Sequence, residues 1–251
     1  MFQAVKNLYR RWELSRRGIA RELSLTTFSA GDRSGVWTVW PDGLGPDSVV
    51  YSFGVGDNLA WDLALADRFG LTVHAFDPTP ASVAWVARQS LPPGLHFHPV
   101  GLAGHDGTLN FAAPRSSRAN FRPLSHPSPP GVSAVTAPVS RLTTHMQWLG
   151  HDHIDVLKMD IEGGEYAALD DLLASRLPVR QLLVEFHHHY PGVGIAHTER
   201  AVQALRDVGY RIFHLSDRGL EISFLNESLN GGTQAFGSRP IAIDAQTANV
   251  Q

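Results

Sequence analysis

One stretch constrains this chain more than any other: Ile154-Asp155-Val156-Leu157-Lys158-Met159-Asp160-Ile161-Glu162-Gly163-Gly164-Glu165. An apolar run stops at a carboxylate, two more carboxylates follow around a glycine pair, and a helical pattern begins at Tyr166. Such a run, short and bounded by turn residues, reads as a buried strand. It delivers acidic side chains to the carboxyl edge of a sheet, and open α/β sheets bind ligands in the crevice outside that edge.

The other segments arrange themselves around this strand. Ser48 to Phe53 is apolar, Gly54-Val55-Gly56-Asp57-Asn58 is a glycine turn, and Leu59, Leu63, Ala66 and Phe69 recur at helical spacing. Strand, glycine turn and helix together form a nucleotide-type unit, in which glycines let a ligand approach the backbone and the helix start presents free N–H groups. Leu71 to Pro78 is a second short strand, ending in Asp77. Asp77 follows the glycines by about 20 residues, the offset at which a carboxylate reaches ribose hydroxyls in dinucleotide sites. The competing reading of Asp77 is an N-cap on the next helix, with Pro78 at its first position.

Further along, Pro80 to Gln89 reads as a helix, Leu95 to Val100 as a strand, Leu109 to Ala112 as a short extended piece and Arg141 to Leu149 as a helix. Tyr166, Leu169, Leu172 and Leu173 mark a helix, Gln181 to Phe186 a buried strand, and Thr198 to Val208 an amphipathic helix with Thr198 as its N-cap. Tyr210 to Ser216 and Leu220 to Asn226 form a terminal hairpin around Arg218-Gly219. Strand and helix alternate, which argues for one α/β domain with a mostly parallel sheet. We place this domain at 48–226, after an N-terminal helical and irregular extension (1–47) and before a polar tail (227–251). The Pro- and Arg-rich segment 113–131 has no periodicity, and a loop of that length in a compact domain is usually functional or mobile. With Arg115, Arg118 and Arg122, it is where acceptor selection is expected.

Composition narrows the function. The net charge is −3, with 21 basic against 24 acidic residues, so nucleic acid is not expected as a partner. The absence of cysteine excludes disulfides, thiolate metal sites and a cysteine nucleophile. No apolar run approaches the roughly 18–20 residues of a membrane span, no signal-peptide core is visible, and a cytoplasmic location is the expectation. Phe2, Val5, Leu8 and Trp12 lie at helical spacing among Lys6, Arg10, Arg11, Arg16, Arg17 and Arg21. The expectation there is a helix packed on the domain by its apolar side, with a solvated basic face; membrane-surface binding is the weaker reading.

Asp160, Glu162 and Glu165 crowd one sheet edge, so something positive should offset their repulsion: a cationic ligand, a shared proton or a divalent ion. Glu165 could instead favour the helix N-terminus through its dipole. His187, His188 and His189 follow the Gln181 strand. If the extended pattern continues, His187 and His189 share a side, and His187 could take a proton from a substrate hydroxyl. The alternatives are surface histidines, or a metal site of His187, His189 and a carboxylate; no metal is expected.

This order of features resembles the class I S-adenosylmethionine-dependent methyltransferases, and within them the FkbM family. The resemblance rests on Gly101 to Phe111, Val139-Ser140-Arg141-Leu142, Asp155 to Glu165, and Leu183-Val184-Glu185-Phe186-His187. It covers roughly 48–226. It implies a Rossmann-like, mostly parallel seven-stranded sheet with a C-terminal antiparallel hairpin, S-adenosyl-L-methionine as cofactor, and O-methylation of a small molecule or glycan hydroxyl. The implied cofactor-binding set is Phe53, Gly54, Gly56, Asp57, Asp77, Pro78, Gly101, Leu102 and Asp160, and the implied catalytic set is His187, Asp160 and Glu162. Two positions depart from the family pattern: Ser52 stands where an acid usually precedes the glycines, and Asn58 replaces a third glycine. Asp57 would then supply the acidic contact. The rival functions are a subunit that keeps the cofactor pocket without catalysis, and a dehydrogenase, disfavoured because Leu59 ends the Gly-x-Gly-x-x-Gly frame. A homo-oligomer is compatible with the sequence.

Overall fold

The protein was analysed as a computed structural model that describes residues 2–32, 35–113, 121–124 and 133–229. The chain begins with helix α1 (Phe2–Arg16) and a hairpin of β1 (Phe28–Asp32) and β2 (Gly35–Val39). It continues through β3 (Val49–Phe53), α2 (Ala60–Phe69), β4 (Thr72–Phe76), α3 (Pro80–Val86), β5 (Leu95–His98), β6 (Gly101–Leu102) and β7 (Gly107–Ala112). Next come β8 (Arg122–Pro123), β9 (Ala134–Ser140), α4 (Leu142–Leu149), β10 (Ile154–Met159), α5 (Glu165–Ser175) and β11 (Val179–Glu185). The last elements are α6 (Ile195–Asp207), β12 (Tyr210–Leu215), β13 (Glu221–Asn226) and a 3₁₀ turn at Glu227–Leu229.

The main sheet is mixed and has seven strands in the order β12-β13-β11-β10-β3-β4-β5. From β11 to β5 all neighbours are parallel, while β13 runs antiparallel to β11 and to β12. Alternation along each strand feeds two cores. Tyr51, Phe53, Leu157, Met159, Leu182 and Val184 face one side, beneath α4, α5 and α6. Val50, Val73, Val156 and Leu183 face the other, with Trp37, Val39, Trp61 and Leu65. Burial on both faces is why β3, β10 and β11 carry apolar residues at successive positions rather than in strict alternation.

Several local expectations are corrected. The hairpin β1–β2 was not anticipated, nor was a second, four-stranded sheet of order β6-β9-β7-β8. That sheet covers its own small core of Ala103, Phe111, Ala137 and Val139 and stands beside the strand ends. Helix α6 starts at Ile195 after Gly194, and Thr198 is not its cap: it is fully buried, bonded to the Tyr166 hydroxyl (3.0 Å) and near His188 Nδ1 (3.2 Å).

Helix α1 reverses its expected orientation. Its buried side chains are Arg10 and Leu14, while Val5, Leu8, Tyr9 and Trp12 are all exposed. Leu14 and Ile19 enter the main core. Of the segment 113–131, only Ala113 and residues 121–124 are described, so Arg115 and Arg118 lie outside the described residues, as does the tail beyond Leu229. Among the described residues no helix is long and apolar enough to cross a membrane.

Candidate active site

The site forms where β3, β4 and β10 end side by side. Gly54 follows β3 with φ +88°, and a Cβ added there would lie 1.7 Å from the carbonyl oxygen of Asp160. The absence of a side chain thus lets two strand ends touch. Asp160 N–H donates to the Phe53 carbonyl (3.0 Å), and Gly54 N–H donates to the Phe76 carbonyl (2.9 Å). Lys158, buried on the opposite face of β10, directs its ammonium at the carbonyls of Phe53 (3.5 Å) and Gly54 (3.3 Å), over the Trp37 ring. Near it, Asp62 of α2 is buried against Ser52. Burial pushes the Asp62 carboxyl up, while Lys158 and the Ser52 hydroxyl oppose the shift. Ser52 thus sits beside a buried acid from α2, and Asp62 does not line the cavity described below.

Asp77 ends β4 and is nearly fully buried. Its Oδ2 accepts the Gly56 N–H (2.9 Å), and its Oδ1 accepts the Thr79 N–H (2.9 Å) and hydroxyl (2.6 Å). The carboxylate thus ties the glycine turn to the entry of α3, which starts at Pro80 behind Thr79. The helix-capping reading of Asp77 is corrected, because Thr79 is the N-cap and Pro80, not Pro78, opens α3; the Asp77 side chain also lines the cavity described below. Each carboxylate oxygen has two acceptor positions, so room for a ligand hydroxyl remains.

A third group gathers around His187. Helix α5 opens with Glu165, fully buried, whose Oε1 accepts the His187 N–H (2.7 Å) and whose Oε2 accepts the Gly163 N–H (2.8 Å). Glu165 thus ties the loop after β10 to the chain after β11. The His187 ring has Nδ1 3.3 Å from Glu165, and Nε2 3.7 Å from Asp160 and 3.6 Å from Glu162. Burial pushes this imidazole down, but the bond and charge of Glu165, with Glu162 and Asp160, outweigh it and raise the pKa to about 9. His187 is protonated at neutral pH. Burial holds the Asp160 carboxyl above the usual range, with Lys158 and His187 opposing, and its Oδ1 is buried without a hydrogen-bond partner. Glu185 is raised to about 8 by burial, then by Asp160 and Glu221, against Arg218 at 2.7 Å.

Glu162 has φ +56°, a backbone conformation that a non-glycine residue adopts at some cost and that concentrates at functional loops. The Tyr190 hydroxyl donates to it, and the Arg122 guanidinium lies 3.6 Å from the centre of the Tyr190 ring. The one described arginine of the Pro/Arg-rich segment therefore reaches the site. β11 stops at Glu185, so the histidine triplet does not alternate: His187 and His188 are both buried, and His189 is exposed.

A cavity of about 340 Å³ joins these groups. Of the candidate residues, Phe53, Gly54, Asp77, Pro78, Gly101, Leu102, Asp160 and Glu162 line it. Gly56 and Asp57 do not, and Asp57 is exposed on the turn; His187 stands behind Asp160 and Glu162. The second sheet adds an apolar wall of Leu109, Phe111, Phe121 and Leu124, which sequence reading missed because that sheet has weak periodicity. Asp160, Glu185 and His187 each bring one potential metal-ligand atom within 4.8 Å of the others.

Parallel strands that end at a glycine turn, two carboxylates and a partly apolar cavity define an α/β protein with a ligand-sized crevice at the carboxyl edge of its sheet. Over residues 48–212 the chain matches the family described as "Methyltransferase FkbM domain", and it belongs to that family. It is 27% identical to "Probable methyltransferase-like protein 24" of Rattus norvegicus, over 66% of this chain and 42% of that protein. The Homo sapiens protein of the same description is 26% identical with the same coverage. The chain thus spans less than half the length of these relatives. The crystal structure of "Methyltransferase FkbM" from Methylobacillus flagellatus KT aligns with a TM-score of 0.43 and 13% identity, over 71% of this chain and 43% of that one.

Proposed function

We propose that the protein is an S-adenosylmethionine-dependent methyltransferase with a Rossmann-like class I fold, acting on a hydroxyl oxygen of a small molecule or glycan. The observation that carries this reading is the convergence of Asp77 and Asp160 on one cavity beside Gly54. The donor set suits a cofactor with a ribose, an ammonium and a sulfonium: Asp77 Oδ2 offers its remaining acceptor position to a ribose hydroxyl, and Asp160 Oδ1, which makes no hydrogen bond, offers a negative partner to a positive group. Phe53, Phe76 and Leu102 supply apolar contact.

When bound, S-adenosylmethionine supplies an electrophilic methyl carbon on a positively charged sulfur. The chain's own residues hold the acceptor hydroxyl in line with that carbon and take its proton. Glu162 and Asp160 line the cavity and receive the proton first. His187 Nε2, 3.6 and 3.7 Å behind them, is its further destination once the ring is neutral. Positive charge entering the cavity competes for the carboxylates that hold His187 protonated, and so lowers the imidazole pKa toward neutrality.

Calorimetric titration of the purified, cofactor-stripped protein with S-adenosylmethionine and its demethylated product tests the reading. Binding in the micromolar range by wild type, lost in Asp160→Asn and Asp77→Ala that remain folded, is the expected result. A folded wild type that binds neither compound sinks it. A second reading is a cofactor-binding subunit without catalysis, favoured by the protonated state of His187. Tight binding with no methyl transfer to any hydroxyl acceptor from pH 6 to 10 would select it.

A further inference from the structure

We propose that α1 docks the protein onto an anionic lipid bilayer surface. The inference is independent of the methyl-transfer reading and rests on the side the helix presents. Val5, Leu8, Tyr9 and Trp12 fall at i, i+3, i+4 and i+7, one continuous stripe on a helix. They are 60%, 66%, 58% and 52% exposed, whereas Arg10 (9%) and Leu14 (0%) on the opposite side are buried. A helix that used its apolar stripe to pack on its own domain would show the reverse.

The helix is fixed in this orientation. Arg11 bonds Asp217 (3.1 Å), Arg17 bonds Glu199 (2.7 Å), and Ile19 N–H closes on the Leu14 carbonyl (2.9 Å). Glu22 then accepts from Ile212 N–H and Arg206. Rolling α1 to bury the stripe would break these ties and expose Leu14.

Charge selects the occupant. Residues 1–21 carry six basic side chains against the single acid Glu13, although the whole chain has a net charge of −3. Lys6 and Arg11 flank the stripe and Arg16 extends it, with its guanidinium 4.9 Å above Trp12. Apolar and aromatic side chains between basic ones suit a helix lying in a lipid interface, where Tyr and Trp are favoured and each Lys or Arg is drawn to anionic headgroups. A symmetric pairing of two such stripes would bring like charges together.

The helix also neighbours the site. The charge of Arg10 is felt at Glu185, Glu221 and His189, and Arg10 and Arg11 pack against Gly219 in the β12–β13 turn. Docking through α1 would therefore set the carboxyl end of β11 near the lipid surface.

The experiment is co-flotation of the whole chain with vesicles of phosphatidylcholine alone or with about 30% phosphatidylserine, the second carrying the negative surface potential. Wild type should float with the anionic vesicles at least about tenfold more than with neutral ones, and lose most of that in 0.5 M salt. The exposed-site variant Leu8→Glu/Trp12→Glu should fold normally and stay in the soluble fraction. Because the chain has no cysteine, Leu8→Cys carries a single environment-sensitive dye, whose emission should shift to the blue only with anionic vesicles. No flotation by folded wild type, or equal flotation on neutral vesicles, overturns the proposal. So does light scattering that finds a dimer of wild type and a monomer of the double variant with no vesicle binding, which would assign the stripe to a second copy.

Discussion

Two glycines two residues apart, alike in type but not in role, show how the site is built. Gly54 and Gly56 both have positive φ, +88° and +58°, yet a side chain at Gly54 would strike the Asp160 carbonyl while one at Gly56 would meet open space. Gly54→Ala must force the β3 and β10 ends apart, and we expect a loss of at least about 3 kcal/mol in urea unfolding. Gly56→Ala should cost only about 1–2 kcal/mol, the price of a left-handed backbone. Equal losses would show that the strand ends yield. His187 makes the second prediction at this scale. Its pKa is raised to about 9 in the fold, against about 6.5 for an unperturbed imidazole. The stability it contributes is therefore fully present below about pH 6.5 and is lost as pH rises through about 9. Wild type should lose stability across that window, and His187→Gln should show a flatter profile in denaturation series. The residue types at the site were legible in the sequence, as acids and histidines at strand ends. Their partners were not: that Glu165 holds the His187 N–H, or that Asp77 holds Gly56 and Thr79, depends on atoms from distant segments.

Among the elements, β4 and β5 carry an unused feature, a stack of histidines on one sheet face. His74 lies between His96 and His98 at ring distances of 5.5 and 5.3 Å, and His151 closes the group with Nδ1 2.7 Å from the Tyr51 hydroxyl. Burial, and then the neighbouring rings, push His74 and His98 down to about 4. Both are neutral in the fold, and their contribution is complete above about pH 6.5 and lost as pH falls toward 4. Thermal melts should show a marked drop in Tm between pH 7 and 5, reduced in His74→Phe, which keeps a ring in the stack. A variant as acid-sensitive as wild type would place the effect elsewhere. The elements themselves were unequally visible. β3, β4, β10 and β11 announced themselves because both faces are largely covered and apolar side chains predominate on each. β1, β2, β7 and β9 are as long as the strands of the main sheet but partly exposed, so their identity comes from pairing partners rather than from their own pattern.

For the whole molecule, the covering of the sheet extends to the chain's start. Leu14 and Ile19 sit in the same core as Phe186 and Leu205. Leu14→Ala should thus cost about 2–5 kcal/mol, read as a lowered denaturation midpoint with one cooperative transition. A change under about 0.5 kcal/mol would mean that α1 adds nothing to the core.

By itself the sequence determined the parallel strands, their carboxyl ends and the acids placed there. Those are local facts: a strand buried on both faces carries apolar residues at successive positions, and a strand end is a glycine or a carboxylate at a fixed step. The tertiary structure alone decided which carboxylate faces the cavity and which ties loops together, that Asp62 of α2 is buried beside Ser52, and that α1 turns its apolar stripe outward. The physical reason is that periodicity reports which side chains share a face, whereas the partner of that face is set by contacts between segments far apart in the chain.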